Sequence, residues 1–319
     1  MIRTRGWALR KILSLAPAVG LAPRPSRRPR GISAVVRVKN EEEWIEPSLL
    51  SVSEAVDELI VVDNGSTDGT PEILARLTRA LGPKLRLFSR PGLDHVALSN
   101  FALAQASYRW ALKWDGDFVA RTTGPHAIRH LRERILGLGE ARHFHVRLTC
   151  IELMGDLWHQ CPGSELRHEP FASVLSPALR FVRVSRVLDG PPPGWPRILR
   201  EEGAPFPIHF EDVKVPLYYD VAQWPEPYFF HLQVKKPVRM YLRDCWADWA
   251  ENPSLQGGFA SLEDYALRRA QRAWNVSTLE EAADVYMARV RELLIPYALE
   301  RFGEHPDILR PHLEAAPRP

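Results

Sequence analysis

Two aspartates separated by one glycine, Asp115-Gly116-Asp117, follow a short apolar run at Trp110–Trp114. Carboxylates at that spacing offer two hard oxygen donors, which suit Mg2+ or Mn2+. A divalent ion held there would neutralise the charge that builds up on a departing diphosphate. A second polar cluster, Asp63-Asn64-Gly65-Ser66-Thr67-Asp68-Gly69-Thr70, follows the β-branched run ELIVVD. An acid at the end of such a strand can accept hydrogen bonds from ribose hydroxyls or a base N–H. Each cluster also has a plainer reading. An isolated D-G-D is commonly a solvated turn, and Asp68 and Thr70 could simply cap a helix.

The surrounding pattern decides between these readings. ISAVVRV (Ile32–Val38) reads as a buried strand, and Trp44, Ile45, Leu49, Val52 and Val56 then recur at helical spacing. ELIVVD is a second buried strand, after which Thr70 can cap a helix with Pro71 at its first position. A third strand is expected at Leu85–Phe88, a helix over His95–Ser107 and a fourth strand at Trp110–Trp114. Alternating strands and helices with short links imply parallel strands flanked by helices. In such sheets ligands bind beyond the carboxyl ends of the strands. Three places lie there, Lys39–Glu43, Asp63–Thr70 and Asp115–Phe118, and all three are polar. The expected class is α/β, with a mixed, mainly parallel sheet and a C-terminal helical extension.

Taken together and in order, VVRVKNEEEWIEPSLLSV, DELIVVDNGSTDGTPEIL, ALSNFALAQA and LKWDGDF resemble the family 2 glycosyltransferases, which have the nucleotide-diphospho-sugar (GT-A, Rossmann-like) fold. The resemblance covers about residues 31–120. It implies a metal-dependent enzyme, with Mn2+ or Mg2+ as cofactor. The enzyme would move a sugar from a UDP-, GDP- or dTDP-linked donor to a hydroxyl of a saccharide, glycolipid or protein acceptor, with inversion as the family default. Carried onto this chain, the family pattern puts Lys39, Asn40 and Glu41 in the nucleotide pocket and Asp63 and Asn64 against the base or ribose. Asn100 matches an asparagine found ahead of the D-x-D strand. Asp115 would meet the donor and, with Asp117, hold the metal, Asp117 being the more direct ligand.

Past residue 120 the pattern thins. Inverting members of the family use a carboxylate to deprotonate the acceptor hydroxyl. Glu211-Asp212 is the best local match for that base, with Asp212 placed ahead of Glu211. A different alignment makes His209-Phe210-Glu211 an acceptor element, and Asp156 is a weaker candidate for the base. Arg197 or Arg200 could meet a diphosphate or acidic acceptor, and Asp189–Trp195 could be a lid. His231 lies where some relatives supply a further metal ligand, after which Lys235 and Lys236 could hold phosphate. Trp246 and Trp249 share one helical face. That face reads first as core, and otherwise as a contact for a lipid-linked acceptor or a dimer partner. Asn275-Val276-Ser277 has the form of a glycosylation acceptor, relevant only to a secreted chain.

Composition bounds the rest. The chain has 319 residues, 45% hydrophobic and 25% charged, which is ordinary for a globular protein. Eight of its 42 Lys+Arg fall in residues 1–30, leaving 34 basic against 39 acidic residues in the body. The basic balance therefore belongs to a tail, which argues against a nucleic-acid partner. Three cysteines fit a reducing, cytoplasmic setting better than a disulfide scaffold. Residues 1–30 read as a disordered, Pro-rich basic leader, with attraction to anionic lipid or a targeting role as alternatives. Residues 31–235 read as the transferase domain, with a donor half at 31–120 and an acceptor half at 121–235, and residues 236–319 read as helical. Two other functions fit less well. A haloacid-dehalogenase-type phosphohydrolase would carry D-x-D-x-[TV] on its first strand, and a non-catalytic sugar-nucleotide binder would not need both acids.

Overall fold

The computed structural model describes residues 4–25, 27–168, 170–188, 206–251 and 253–315. The strands are β1 (Ile32–Val38), β2 (Glu58–Asp63), β3 (Leu85–Ser89), β4 (Trp110–Asp115), β5 (Phe118–Ala120), β6 (His143–Met154), β7 (His159–Gln160), β8 (Leu166–Arg167), β9 (Phe171–Val174), β10 (Arg180–Leu188), β11 (Phe206–Lys214), β12 (Tyr219–Gln233) and β13 (Ile295–Pro296). The longer helices are α1 (Thr4–Leu13), α2 (Ile45–Ser53), α3 (Thr70–Leu81), α4 (His95–Gln105), α5 (Ile128–Gly137) and α6 (Pro237–Glu251). They are followed by α7 (Pro253–Gly258), α8 (Leu262–Trp274), α9 (Leu279–Leu293), α10 (Leu299–Phe302) and α11 (Arg310–Ala315).

The main sheet runs β3-β2-β1-β4-β9-β6-β12-β5, with β8 added beside β6. The contacts β1–β2, β2–β3, β1–β4 and β6–β12 are parallel, and β9, β5 and β8 enter antiparallel. This is the mixed, mainly parallel sheet expected. β10 and β11 form a separate two-stranded ribbon. Strand β1 is apolar along almost its whole length because both of its faces are covered. Ala34, Val36 and Val38 enter one core with Leu59 and Val61, whereas Val35 enters the other with Ile60 and Val62. That double burial sets the register. Val38 pairs with Asp63 and Arg37 with Asp115, so the polar ends of β1, β2 and β4 finish at one sheet edge.

Small hydroxyls in α2 hold the D-x-D hairpin to the sheet. The Trp114 indole N–H donates to Ser48 Oγ (3.0 Å), the Ser48 hydroxyl donates to the Asp115 carbonyl (3.2 Å), and Ser51 Oγ accepts from the Ala120 N–H (2.9 Å). Helices α6, α8 and α9 carry a core of their own around Tyr241, Ala266, Ala283, Tyr286 and Val290. Asn275 ends α8 in the left-handed conformation (φ 54°), which accounts for an asparagine there on backbone grounds alone.

Several expectations change. Residues 4–13 are helical, not a disordered leader, and the Arg10 guanidinium donates to the carbonyls of Pro216 (2.8 Å) and Val215 (3.3 Å). Thr70 does not cap α3; the N-cap is Gly69, and Asp68 Oδ1 accepts from the Thr70 N–H instead. Helix α11 carries the extension to Ala315, and residues 316–319 lie outside the described residues. All three cysteines are buried and none of them is in a disulfide. Among the described residues no helix is long and apolar enough to cross a membrane.

At the opposite edge of the sheet Asp57 accepts from the Ile32 N–H (2.8 Å) and from both Arg132 guanidinium nitrogens (2.8 and 2.9 Å). A Cβ on Gly31 would lie 2.4 Å from the Tyr108 ring and 2.6 Å from Asp57 Oδ2. Gly31→Ala is therefore expected to cost about 1–3 kcal/mol by overpacking. The check is a lower urea midpoint with an unchanged m-value.

Candidate active site

A cavity of about 800 Å³ opens where β1, β2 and β4 end, and α6 closes it from the far side. Of the residues expected at the site, Lys39, Glu41, Asn64, Asp115, Asp117, His231 and Lys235 line it. Helix α6 contributes Arg239, Leu242, Arg243 and Trp246, spaced i, i+3, i+4 and i+7, so a single helical face meets the cavity.

The acids at the sheet edge are each compensated by a cation from another segment. Asp115 receives Lys113 Nζ (2.7 Å) and the Arg37 guanidinium (3.3 Å), and the same Arg37 nitrogen reaches Glu211 Oε1 at 2.7 Å. Asp117 lies 2.9 Å from Lys235 Nζ and 3.6 Å from His231 Nε2. Glu41 receives Lys235 (2.5 Å) and Arg239 (2.7 Å). Burial alone would push both aspartate carboxyls up. Lys235 and His231 outweigh it at Asp117, holding that group well below the ordinary carboxylate range, and Lys113 and Arg37 lower Asp115 in the same way. At Glu41 burial wins over Lys235, so its carboxyl is raised.

Asn40 and Asp63 form the frame of the cavity rather than its lining. Asn40 takes a left-handed conformation (φ 56°), to which asparagine is suited. Its N–H donates to Ser66 Oγ (2.8 Å) and its Oδ1 accepts from the Thr67 N–H (2.7 Å). The Asp63 carboxylate accepts from the Ser66 N–H (3.1 Å) and hydroxyl (2.6 Å), three residues on, which closes the turn after β2. Thr70 Oγ1 accepts from the Glu41 N–H at 2.7 Å, which holds the loop after β1 against the start of α3. Asn64 donates through Nδ2 to the Leu93 carbonyl (3.0 Å), while its buried Oδ1 has no hydrogen-bond partner.

Three further placements correct the sequence reading. Asn100 is not at the cavity. Its amide donates to the Phe181 carbonyl (3.0 Å) and accepts from the Phe181 N–H (2.9 Å), clamping β10 to α4. On β11 neighbouring side chains point to opposite faces. Glu211 turns inward to Arg37 and accepts from the Ser99 hydroxyl (2.6 Å), whereas Asp212 is exposed and accepts from the Val213 N–H (2.8 Å). Of the two carboxylates, it is Glu211 that joins the charge network at the sheet edge. Asp156 is occupied elsewhere, by the Trp158 N–H (2.7 Å) and His159 (2.8 Å). Arg197, Arg200 and the segment 189–195 lie outside the described residues, as do the side chains of His209 and Phe210.

The donor types at Asp115, Asp117 and His231 suit a divalent cation. Behind His231 stands Glu152, fully buried, with Oε2 at 3.9 Å from the imidazole Nδ1 and Arg167 at 3.0 Å from the same oxygen. A carboxylate behind an imidazole is how ligating histidines are commonly oriented. The three groups nevertheless do not close around an ion as placed. Among the described residues no cluster of three or more His, Cys, Asp and Glu side chains is drawn together tightly enough to hold one. The lysines at 113 and 235 take the carboxylates instead.

Arg37, Lys113, Arg239, Arg243 and His95 also reach the site without having been singled out from sequence. Arg37 and Lys113 were visible as lone cations inside apolar strands, two residues from Lys39 and Asp115 respectively. Trp249 packs on Tyr265 (5.8 Å between centroids). Trp246 is 45% exposed and stands edge-on to His95 at the cavity mouth, so it is not core.

Asn100→Ala is expected to free the Phe181 N–H and carbonyl at a cost of about 1–3 kcal/mol. Amide hydrogen exchange should then speed up in β10 more than in β1 or β2, and equal rates in all three would sink this account of Asn100.

Residues 33–133 match the sequence profile of Glycosyl transferase family 2. An uncharacterized glycosyltransferase of Rickettsia typhi is 38% identical over 86 residues, which is 27% of this chain and 27% of that protein. The lipopolysaccharide core biosynthesis glycosyltransferase LpsC of Rhizobium meliloti is 33% identical over 86 residues, 27% of this chain and 31% of its own. The match therefore spans about a third or less of these relatives' length. Among solved structures, the mannosyltransferase PcManGT of Pyrobaculum calidifontis, in complex with GDP-Man and Mn2+, superposes with a TM-score of 0.38 at 17% identity, covering 93% of this chain and 91% of that one. The 1–349 segment of S. aureus TarS in complex with UDP-GlcNAc gives 0.39 at 14% identity, covering 89% and 87%.

Proposed function

From the family 2 membership of residues 33–133 we propose that this chain is a glycosyltransferase that moves a sugar from a nucleotide-diphospho-sugar to an acceptor hydroxyl. One observation carries the proposal: the loop after β1, Asn64 after β2 and the D-x-D after β4 line one cavity that α6 faces with arginines. A diphosphate is the ligand such a wall suits, because Arg239, Arg243, Lys235 and Lys39 meet it from two sides. Saccharide or glycoconjugate biosynthesis is the setting proposed, and the name of the R. meliloti relative supports it.

In the proposed reaction Glu211 accepts the proton of the acceptor hydroxyl. That oxygen bonds to the anomeric carbon from the face opposite the leaving group, the bond from that carbon to the diphosphate oxygen breaks, and the sugar is delivered inverted. Arg37 bridges Glu211 to Asp115, so it fixes the base relative to the donor. Asp115, Asp117 and His231 would hold Mn2+ or Mg2+, which when bound supplies positive charge to the departing diphosphate.

The donor half is tested by thermal unfolding with UDP, GDP and dTDP, each with and without Mn2+. A ligand at ~100 times its dissociation constant adds ~2.7 kcal/mol, enough to raise the midpoint by a few degrees. A shift with one nucleotide is expected, and silence across the whole panel would remove the donor-site reading.

The base is tested by substitution. Glu211→Gln is expected to lower kcat by about 10²–10⁴-fold, the usual span for a lost general base. Asp212→Asn should stay near wild type, and both variants should keep the nucleotide-induced shift. Loss of activity in the Asp212 variant alone would reverse the assignment.

A further inference from the structure

Lys235 lies between the last strand of the sheet, β12, and the first helix of the C-terminal extension, α6. Its side chain is only 4% exposed, and its ammonium contacts two carboxylates from two other segments. Glu41 Oε2, from the loop after β1, is 2.5 Å away, and Asp117 Oδ2, from the β4–β5 hairpin, is 2.9 Å away. The neighbouring charges are accounted for on every side. His231 on β12 approaches the same Asp117 oxygen at 3.6 Å, and Arg239 on α6 takes the other oxygen of Glu41 at 2.7 Å. Next to it in sequence, Lys236 pairs with Glu42 at the surface. A salt link through Lys235 therefore ties the β1 loop, the D-x-D and the start of α6 together.

The ammonium and His231 both lie on Asp117 Oδ2, so a divalent cation that ligates this carboxylate through either oxygen comes within a few ångströms of the Lys235 charge. Two cations cannot share that carboxylate in a buried setting without strong repulsion. The lysine has a means of leaving, because its ammonium ends a flexible four-carbon stem with three rotatable donors. We propose that Lys235 is an internal counter-ion of the D-x-D, which competes with a divalent cation for the Asp117 carboxylate and gives way when the ion binds. The released ammonium stays within reach of the cavity, where a diphosphate would be its next partner; this last step rests on the donor-site reading above, but the exchange at Asp117 does not. The spacing of Asp115, Asp117 and His231 fits this competition, since the protein's own cation holds one of the three.

The test needs no sugar nucleotide, so it fails or succeeds apart from the transferase reading. Mn2+ binding is followed by the loss of the free-ion electron paramagnetic resonance signal, in wild type and Lys235→Met. Removal of the ammonium leaves Asp117 without its strongest competitor. The variant is expected to bind Mn2+ roughly tenfold or more tightly than wild type. Equal affinity in the two proteins, weaker binding in the variant, or no binding in either would overturn the proposal. A second measurement keeps the test independent of the variant's folding. Quantitative amine labelling of the wild-type chain, read by mass spectrometry, should show Lys235 protected in EDTA and more reactive with Mn2+ alone, while exposed Lys214 stays constant. Unchanged labelling of Lys235 would equally overturn it.

Discussion

The arrangement of this molecule depends on charge compensation at one sheet edge. Asp115, Asp117, Glu41 and Glu211 all sit partly or wholly out of water. An isolated buried carboxylate is costly, and it becomes tolerable only beside a cation and hydrogen-bond donors. Each partner here comes from a different segment: Arg37 from β1, Lys113 from β4, Lys235 from the β12–α6 junction and Arg239 from α6. The acids cannot be placed unless those segments are. Assembly of the site is thereby coupled to closure of the sheet and docking of α6.

That coupling explains why the extension matters to a site whose motifs lie in the first 120 residues. Helices α6, α8 and α9 have a small core of alanines and tyrosines, which lets them pack closely and hold α6 in a fixed rotation. Rotation is the quantity that counts. Only one face of α6 carries Arg239, Leu242, Arg243 and Trp246, and a turn of roughly 100° per residue would take the guanidiniums away from the cavity. Along that face cationic and apolar residues alternate, Arg239 and Arg243 with Leu242 and Trp246, so the wall offers charge and apolar surface side by side.

Much of the first half was legible because burial on both faces leaves a strong sequence signal. ISAVVRV and ELIVVD have the ranges expected of them, Asp115 ends β4, and the three polar loops fall at the carboxyl ends. What the pattern could not separate was contact from support. Asn40, Asp63 and Thr70 stand in the motif beside Lys39, Glu41 and Asn64, yet they spend their hydrogen bonds on neighbouring loops. A polar residue in a turn looks the same in sequence whether its partner is a ligand or a backbone N–H. Asn100 illustrates this most plainly, since both ends of its amide meet Phe181, a residue 81 positions away. The basic N-terminal segment misled for a similar reason: composition reported its charge but not the Pro216 and Val215 carbonyls that Arg10 meets.

The choice between Glu211 and Asp212 turned on the two-residue period of a strand. Adjacent acids on β11 must face opposite ways, so only one can join the charge network, and register decides which. Glu211 lies opposite Arg183 on β10, and Asn100 in turn clamps β10 through Phe181. A residue that does not touch the cavity thus helps set which carboxylate meets Arg37. Arg37 completes the connection, because one guanidinium nitrogen serves both Glu211 and Asp115. Withdrawal of Arg37 toward either acid weakens its hold on the other. The groups proposed to take the acceptor's proton and to hold the donor's charge are therefore linked through a single cation.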